Sequence, residues 1–108
     1  HNHFAGVVEE TEEGDKIASA LGNKTVLFMQ NHGILTTGTS IDVALWFFFS
    51  LERCCQSQLM ADAAGATTLI PHETAIKTRE FIANDFAAWA SFQPLYDMIA
   101  EKEPDLFD

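Results

Sequence analysis

The chain has 108 residues and a mass of 12.0 kDa, which suffices for one domain or for part of one. Hydrophobic residues make up 47% of it and include nine Phe and two Trp, so the chain can form an apolar core and is not a disordered tail. Its formal charge of −10 repels phosphate groups, which argues against nucleic acid and anionic membrane surfaces as partners.

The first predicted element is a helix over residues 11–21. Thr11 is a suitable N-cap, and the two glutamates that follow it favour the positive end of the helix dipole. Gly22 supplies the left-handed residue that commonly ends a helix.

A β-hairpin is predicted next in the chain. Residues 25–30 begin with β-branched side chains and continue as an unbroken apolar run, which is typical of a strand covered on both faces. Asn31 and Gly33 tolerate positive φ on either side of His32, so they predict a tight turn into a second strand over residues 34–37. Two strands alone make a marginal sheet, so we expect the rest of a larger α/β domain upstream.

A long helix is predicted over residues 41–64, with Ser40 as its N-cap and Gly65 at its end. Apolar side chains cover most of its circumference, so we expect it to be buried on several sides, against the hairpin and against another subunit. The longest apolar run in the chain, residues 43–49, is too short to span a bilayer.

Four consecutive residues on this long helix have side chains that are reactive or charged. Cys54 and Cys55 are interpreted as core residues rather than nucleophiles, because no histidine lies near them in sequence. Adjacent cysteines rarely pair with each other, which favours a reduced, cytoplasmic setting. Glu52 and Arg53 are interpreted as members of an ion pair or of a subunit contact.

Two further helices are predicted over residues 71–81 and 86–100. His72 is expected to be exposed at the start of the first, and Asn84 with Asp85 is expected to break or cap the end of that helix. Pro94 lies inside the second helix and is expected to kink or restart it.

His32 is the strongest candidate for chemistry in the sequence. A histidine in a turn between strands can direct one ring nitrogen into a cleft while the backbone fixes its orientation, as zinc ligation requires. A turn histidine that only bonds to the backbone is the alternative. His1 and His3 form a His-x-His pattern that could supply two more ligands, although the interpretation of a terminal pair as a mobile chain end is the stronger one.

The order and spacing of several short motifs resemble the class II aldolase/adducin family along nearly the whole chain. These motifs are Phe4-Ala5-Gly6-Val7-Val8, Ala20-Leu21-Gly22, Gln30-Asn31-His32-Gly33-Ile34-Leu35 with Gly38, Leu51-Glu52-Arg53-Cys54-Cys55-Gln56 with Gln58-Leu59, and Phe92-Gln93-Pro94-Leu95-Tyr96-Asp97.

The resemblance implies a three-layer α/β/α sandwich around a mixed, mainly antiparallel sheet, in a protein that is commonly tetrameric. Aldolases of this family hold a divalent metal, usually zinc, with three histidines and stabilise an enediolate during retro-aldol cleavage of sugar phosphates. Two of those histidines form a His-x-His motif in the first half of the domain, where the acid/base residue also lies. The third belongs to the Asn-His-Gly turn, so the resemblance implies that His32 is a metal ligand.

The pair His1 and His3 aligns just before the Gly-Val-Val segment, which follows the ligand pair of the family, so the resemblance gives these two residues no ligand role. Residues 1–108 are therefore expected to be the C-terminal portion of the domain, with the catalytic residues upstream. Such a portion alone is expected to be inactive and mostly free of metal.

Two functional hypotheses follow from the resemblance. In the first, the intact protein is a zinc-dependent lyase, or a related decarboxylase or epimerase, that acts on a small sugar phosphate and assembles with copies of itself. In the second, it is a non-catalytic, adducin-like assembly domain. Retention of His32 favours the metalloenzyme, and an upstream His-x-His motif would decide between the two.

Overall fold

The computed structural model describes residues 11–108, which divide between two units. The first unit ends at Thr37, and its described part contains α1 (Thr11–Leu21), β1 (Val26–Met29) and β2 (Gly33–Thr36). The second, Gly38–Asp108, contains α2 (Ile41–Ala64), α3 (His72–Ile82), α4 (Asp85–Lys102) and a short 3-10 helix (Pro104–Phe107).

Helix α1 has the bounds that its sequence predicts. Gly22 adopts a φ of 55° at its C-terminus and donates its N–H to the carbonyl of Ala18 at 2.9 Å. Lys16 lies 3.1 Å from the carboxylate of Glu12 one turn earlier, and this hydrogen bond raises the pKa of the Lys16 ammonium group. Local capping and dipole effects therefore account for this element.

The hairpin is confirmed as an antiparallel pair of strands; β1 is shorter than predicted by one residue at each end, and β2 begins and ends one residue earlier than predicted. The register runs from Val26 opposite Thr36 to Met29 opposite Gly33. Leu27 is buried, whereas its neighbour Phe28 is 56% exposed, because successive side chains of a strand point to opposite faces. Residues 11–108 thus leave the second face of β1 uncovered, as expected for two strands without the rest of their sheet.

Helix α2 also begins and ends where the sequence predicts. The hydroxyl of Ser40 accepts a hydrogen bond from the N–H of Val43 at 3.3 Å, and Gly65 closes the helix with a φ of 151°. Helix α3 begins at His72, which is exposed as expected, and ends at Ile82.

The core of the second unit forms where α4 packs against the first part of α2. Val43 of α2 and Ala88 and Phe92 of α4 are its buried residues. Ala88 and Phe92 are four positions apart, so they present one face of α4 to α2.

Two polar contacts join the same pair of helices. The hydroxyl of Thr39 donates to the carboxylate of Asp85 at 2.8 Å, and the side-chain amide of Gln93 donates to the carboxylate of Asp42 at 2.9 Å. The N-terminal parts of α2 and α4 are therefore held to each other by both apolar burial and hydrogen bonds.

Pro94 neither ends nor restarts α4, which is continuous through it. Proline removes one helical N–H and crowds the carbonyl of Ala90 four residues earlier, at a cost of about 3 kcal/mol. Ala88 and Phe92 lie on α4 shortly before Pro94. Their packing against α2 favours a continuous α4. Tertiary contacts thus override the local preference of the proline.

The rest of α2 is much less buried than its composition predicts. Phe48, Phe49 and Leu59 are 39%, 44% and 71% exposed, because α4 is the one helix of the second unit that contacts α2 in the described chain. Cys54 is exposed and Cys55 half-buried, so the interpretation as core residues is wrong for Cys54. Between residues 11 and 108, no helix has the length and apolar character needed to cross a membrane.

Candidate functional site

His32 lies in the three-residue loop that joins the two strands of the hairpin. Its backbone N–H donates to the carbonyl of Met29 at 3.1 Å, which closes a four-residue β-turn. Asn31, the third residue of that turn, has a φ of 58°, and asparagine tolerates this left-handed conformation better than most residues. The backbone of His32 is therefore fixed from the N-terminal side.

Gly33 fixes the turn from the other side. Its φ is 141°, which residues with a side chain rarely adopt, and it pairs with Met29 as the last position of the ladder. A Cβ at this position would meet nothing within 4 Å. Glycine is thus required by the backbone conformation and not by lack of space.

The turn presents the His32 side chain at the surface, where a ligand can reach it. His32 is exposed, and so are Gln30 and Asn31 before it. Neutral imidazole is a good ligand for zinc, so the chemistry of the residue suits the role that its sequence context predicts.

Residues 11–108 do not form a complete metal site around His32. In this range, no group of three His, Cys, Asp or Glu side chains lies close enough together to hold a metal ion. His1 and His3 are outside the described residues. A structural or catalytic zinc ion needs at least three protein ligands, so His32 requires further ligands from outside residues 11–108 to hold one.

The other candidate residues lie in the second unit. His72 begins α3, and the two cysteines lie on α2. Arg53, interpreted from the sequence as part of an ion pair, has no carboxylate within ion-pair distance in the described part of the chain. Arg53 lines a cleft that was not predicted from the sequence. Thr67 and Thr68, which follow Gly65 at the end of α2, were a signal that the chain is polar in this region.

Residues 3–59 match the family model described as Class II Aldolase and Adducin N-terminal domain. This match covers more than half of the chain and includes the hairpin, His32 and most of α2.

Two bacterial relatives match almost the whole chain. Decarboxylase NovR from Streptomyces niveus is 38% identical over 103 residues, which are 95% of this chain and 38% of the relative. A 4-hydroxy-3-prenylphenylpyruvate oxygenase/4-hydroxy-3-prenylbenzoate synthase from Streptomyces roseochromogenus subsp. oscitans is 37% identical over 103 residues, which are 95% of this chain and 37% of that protein.

A solved structure has the same fold. The L-fuculose 1-phosphate aldolase from Glaciozyma antarctica PI12 superposes with a TM-score of 0.81 at 36% identity, over 92% of this chain and 39% of that one. The chain thus spans less than two fifths of the length of these relatives. Sequence, fold and the Asn-His-Gly turn agree, and the chain belongs to the class II aldolase and adducin family.

Proposed function

We propose that residues 1–108 are the C-terminal portion of a metal-dependent class II aldolase-like lyase, in which His32 is one of three histidine ligands of a zinc ion. The single observation that carries this proposal is the exposed histidine held in a turn by Asn31 and Gly33, within the part of the chain that matches the family. The other two ligands and the acid/base residue would come from upstream sequence.

In the proposed reaction, the role of this chain is to hold the imidazole of His32 in a fixed position. The Met29–His32 hydrogen bond and the positive φ values on both sides of His32 restrict the backbone, which reduces the entropy lost when the side chain binds a ligand. A bound zinc ion would supply Lewis-acid polarisation of a substrate carbonyl.

We propose a small sugar phosphate as the substrate, because the structural neighbour is named as an aldolase of L-fuculose 1-phosphate. Decarboxylation of a 2-oxo acid is the second candidate. It is favoured by the names of the two bacterial relatives, one a decarboxylase and the other an enzyme with a phenylpyruvate in its name. Both reactions break a carbon–carbon bond near a carbonyl group.

The test compares zinc content and activity in the complete protein, before and after substitution of His32. His32→Ala is expected to abolish bound zinc after dialysis against a weak chelator, and with it the cleavage of L-fuculose 1-phosphate or the release of carbon dioxide from 4-hydroxyphenylpyruvate. His72→Ala is the matched control, since His72 is an exposed histidine on α3, and it is expected to retain both properties. Zinc retained at wild-type stoichiometry in His32→Ala would refute the ligand role.

The 108-residue chain alone provides a second test. One imidazole cannot hold zinc with the affinity of three, so the chain alone is expected to be inactive and mostly free of zinc. Stoichiometric zinc that is lost on His32→Ala in this chain would show a complete site within it, with His1 and His3 as ligands. Full activity of the chain alone on a sugar phosphate would refute the assignment as a portion of the domain.

The adducin-like alternative makes the opposite prediction for the complete protein. An assembly domain needs neither zinc nor substrate, so a complete protein that binds no zinc and cleaves neither compound would favour it. The same measurements therefore distinguish the two functions.

A further inference from the structure

A concave site lies in the second unit, along the C-terminal half of α2. The coil that follows α2 turns back beside this helix and forms the opposite wall of an open cleft of about 610 Å³. We refer to it as the Arg53 cleft. Its polar lining comprises Arg53, Ser57, Gln58, Thr67 and Thr68, and its apolar lining includes Ala61 and Leu69.

The coil is held against the helix by one carboxylate. Asp62 accepts hydrogen bonds from the side-chain amide of Gln58 at 3.0 Å and from the hydroxyl of Thr67 at 3.3 Å. The bond from Thr67 joins the coil to α2, whereas the bond from Gln58 lies within α2, and both side chains are thereby engaged. Asp62 also places one negative charge at the edge of the cleft.

Arg53 is the cation of the Arg53 cleft, and it has no anionic partner among residues 11–108. Lys16 and Lys77 each lie within 3.1 Å of a glutamate carboxylate, whereas no Asp or Glu in the described residues reaches the guanidinium group of Arg53. In a chain with sixteen acidic and six basic residues, an arginine in this position leaves its planar set of donors available to an anion.

Further donors line the same cleft. Throughout residues 11–108, no protein group forms a hydrogen bond with the hydroxyls of Ser57 or Thr68, and the backbone N–H groups of residues 66–69 donate to no protein acceptor. Arg53 and Ser57 are four positions apart on α2, so they lie on the same face of the helix. An anion at this face would meet a guanidinium group and neutral hydrogen-bond donors together.

We propose that the Arg53 cleft binds a small organic monocarboxylate, with the guanidinium group of Arg53 on the carboxylate and the apolar lining on the body of the molecule. A monocarboxylate fits better than a phosphate, because the cleft offers one cation and has the carboxylate of Asp62 at its edge, which repels a second negative charge. The apolar side chains Ala61 and Leu69 suit a ligand with a hydrocarbon part.

The lining of the Arg53 cleft includes no residue of the His32 turn. Ala61, Thr67, Thr68 and Leu69 lie beyond residue 59, where the match to the family model ends. The far wall of the cleft is therefore a feature of this chain outside the part matched by the family model.

The experiment titrates the full chain, labelled with nitrogen-15, with sodium benzoate and separately with inorganic phosphate at constant ionic strength. Benzoate is expected to shift the Nε–H signal of Arg53 and the amide signals of residues 67–69, with all shifts fitting one saturating curve. The expected Kd is on the order of 1 mM, because the contacts are one exposed charge pair and neutral hydrogen-bond donors. Higher salt is expected to weaken the binding.

Two matched variants locate the interaction. Arg53→Met is expected to weaken benzoate binding by about 10-fold or more, because a charge-assisted pair of hydrogen bonds is lost. Arg79→Met removes the same charge from α3 and is expected to leave the binding unchanged. Arg53→Lys keeps the charge without the planar fork, so its affinity is expected to lie between those of the wild type and Arg53→Met.

The wild-type titration decides the proposal even if a variant fails to fold, since it observes the Arg53 side chain directly. Absence of saturable shifts at Arg53, or equal affinity in a folded Arg53→Met, would overturn the proposed site. Phosphate that binds at Arg53 more tightly than benzoate would overturn the assignment to a monocarboxylate. Loss of zinc or activity in the His32 variants would have no bearing on either result.

Discussion

Replacement of Gly33 by alanine tests whether backbone conformation holds the His32 turn. A Cβ at Gly33 would meet no atom within 4 Å, so a steric clash contributes nothing to the effect. The φ of 141° is what alanine cannot adopt without strain, and Gly33 cannot relax freely because it pairs with Met29 in the ladder. Strain of this kind costs about 1–3 kcal/mol, which is the expected decrease in the free energy of unfolding.

Gly14→Ala is the matched control for this substitution. A Cβ added at Gly14 would also meet no atom within 4 Å, but Gly14 lies inside α1 and has no positive φ. The same added methyl group is therefore expected to raise the free energy of unfolding by about 0.5–1 kcal/mol, because alanine favours helix more than glycine does.

Urea unfolding followed by circular dichroism measures both variants against the wild type. The two substitutions are expected to change the free energy of unfolding in opposite directions. A change of less than about 0.5 kcal/mol in Gly33→Ala, which is typical of ordinary surface substitutions, would refute the reasoning that the backbone of this turn is constrained.

Two further substitutions test the second unit by the same urea measurement. Gly38→Ala would place a Cβ 2.7 Å from the backbone nitrogen of Ala44 and 2.8 Å from Cγ1 of the buried Val43, so it is expected to destabilise by about 1–3 kcal/mol. Asn84→Ala removes the acceptor of the Ala87 N–H at 2.9 Å and is expected to destabilise by about 1 kcal/mol.

Each of these substitutions has an internal control. Gly14→Ala is again the control for Gly38→Ala. A free energy of unfolding in Gly38→Ala equal to that of the wild type would show that the first turn of α2 moves away from the added methyl group at no cost in stability. Asn84→Asp keeps a capping acceptor for α4 and is expected to destabilise less than Asn84→Ala. If Asn84→Asp and Asn84→Ala were equally unstable, the hydrogen bonds from the Asn84 amide to the carbonyls of α3 would explain the loss better than the cap.

The elements themselves were predictable because their signals are local. Ser40 and Gly65 mark the two ends of α2 through hydrogen bonds and backbone conformations that involve only a few neighbouring residues. The Asn-His-Gly turn was predictable for the same reason, since Asn31 and Gly33 are the residue types that accept its positive φ values.

The candidate ligand was predictable, whereas the Arg53 cleft was not. His32 was identified by its place in the turn and by the family resemblance, and the structure places it in that turn, exposed. The Arg53 cleft depends on a coil that returns to α2 through Asp62, and no local rule predicts which carboxylate such a coil will contact.

The helices, the hairpin, the family and the choice of His32 all followed from residue patterns, because caps, turns and hydrophobic periodicity act over a few residues. The folded chain was needed to show that α4 continues through Pro94, that Cys54 is exposed, and that Arg53 lines a cleft beside the coil after α2. These outcomes depend on contacts between separate segments of the chain, whose energies exceed the local preferences that a sequence reveals.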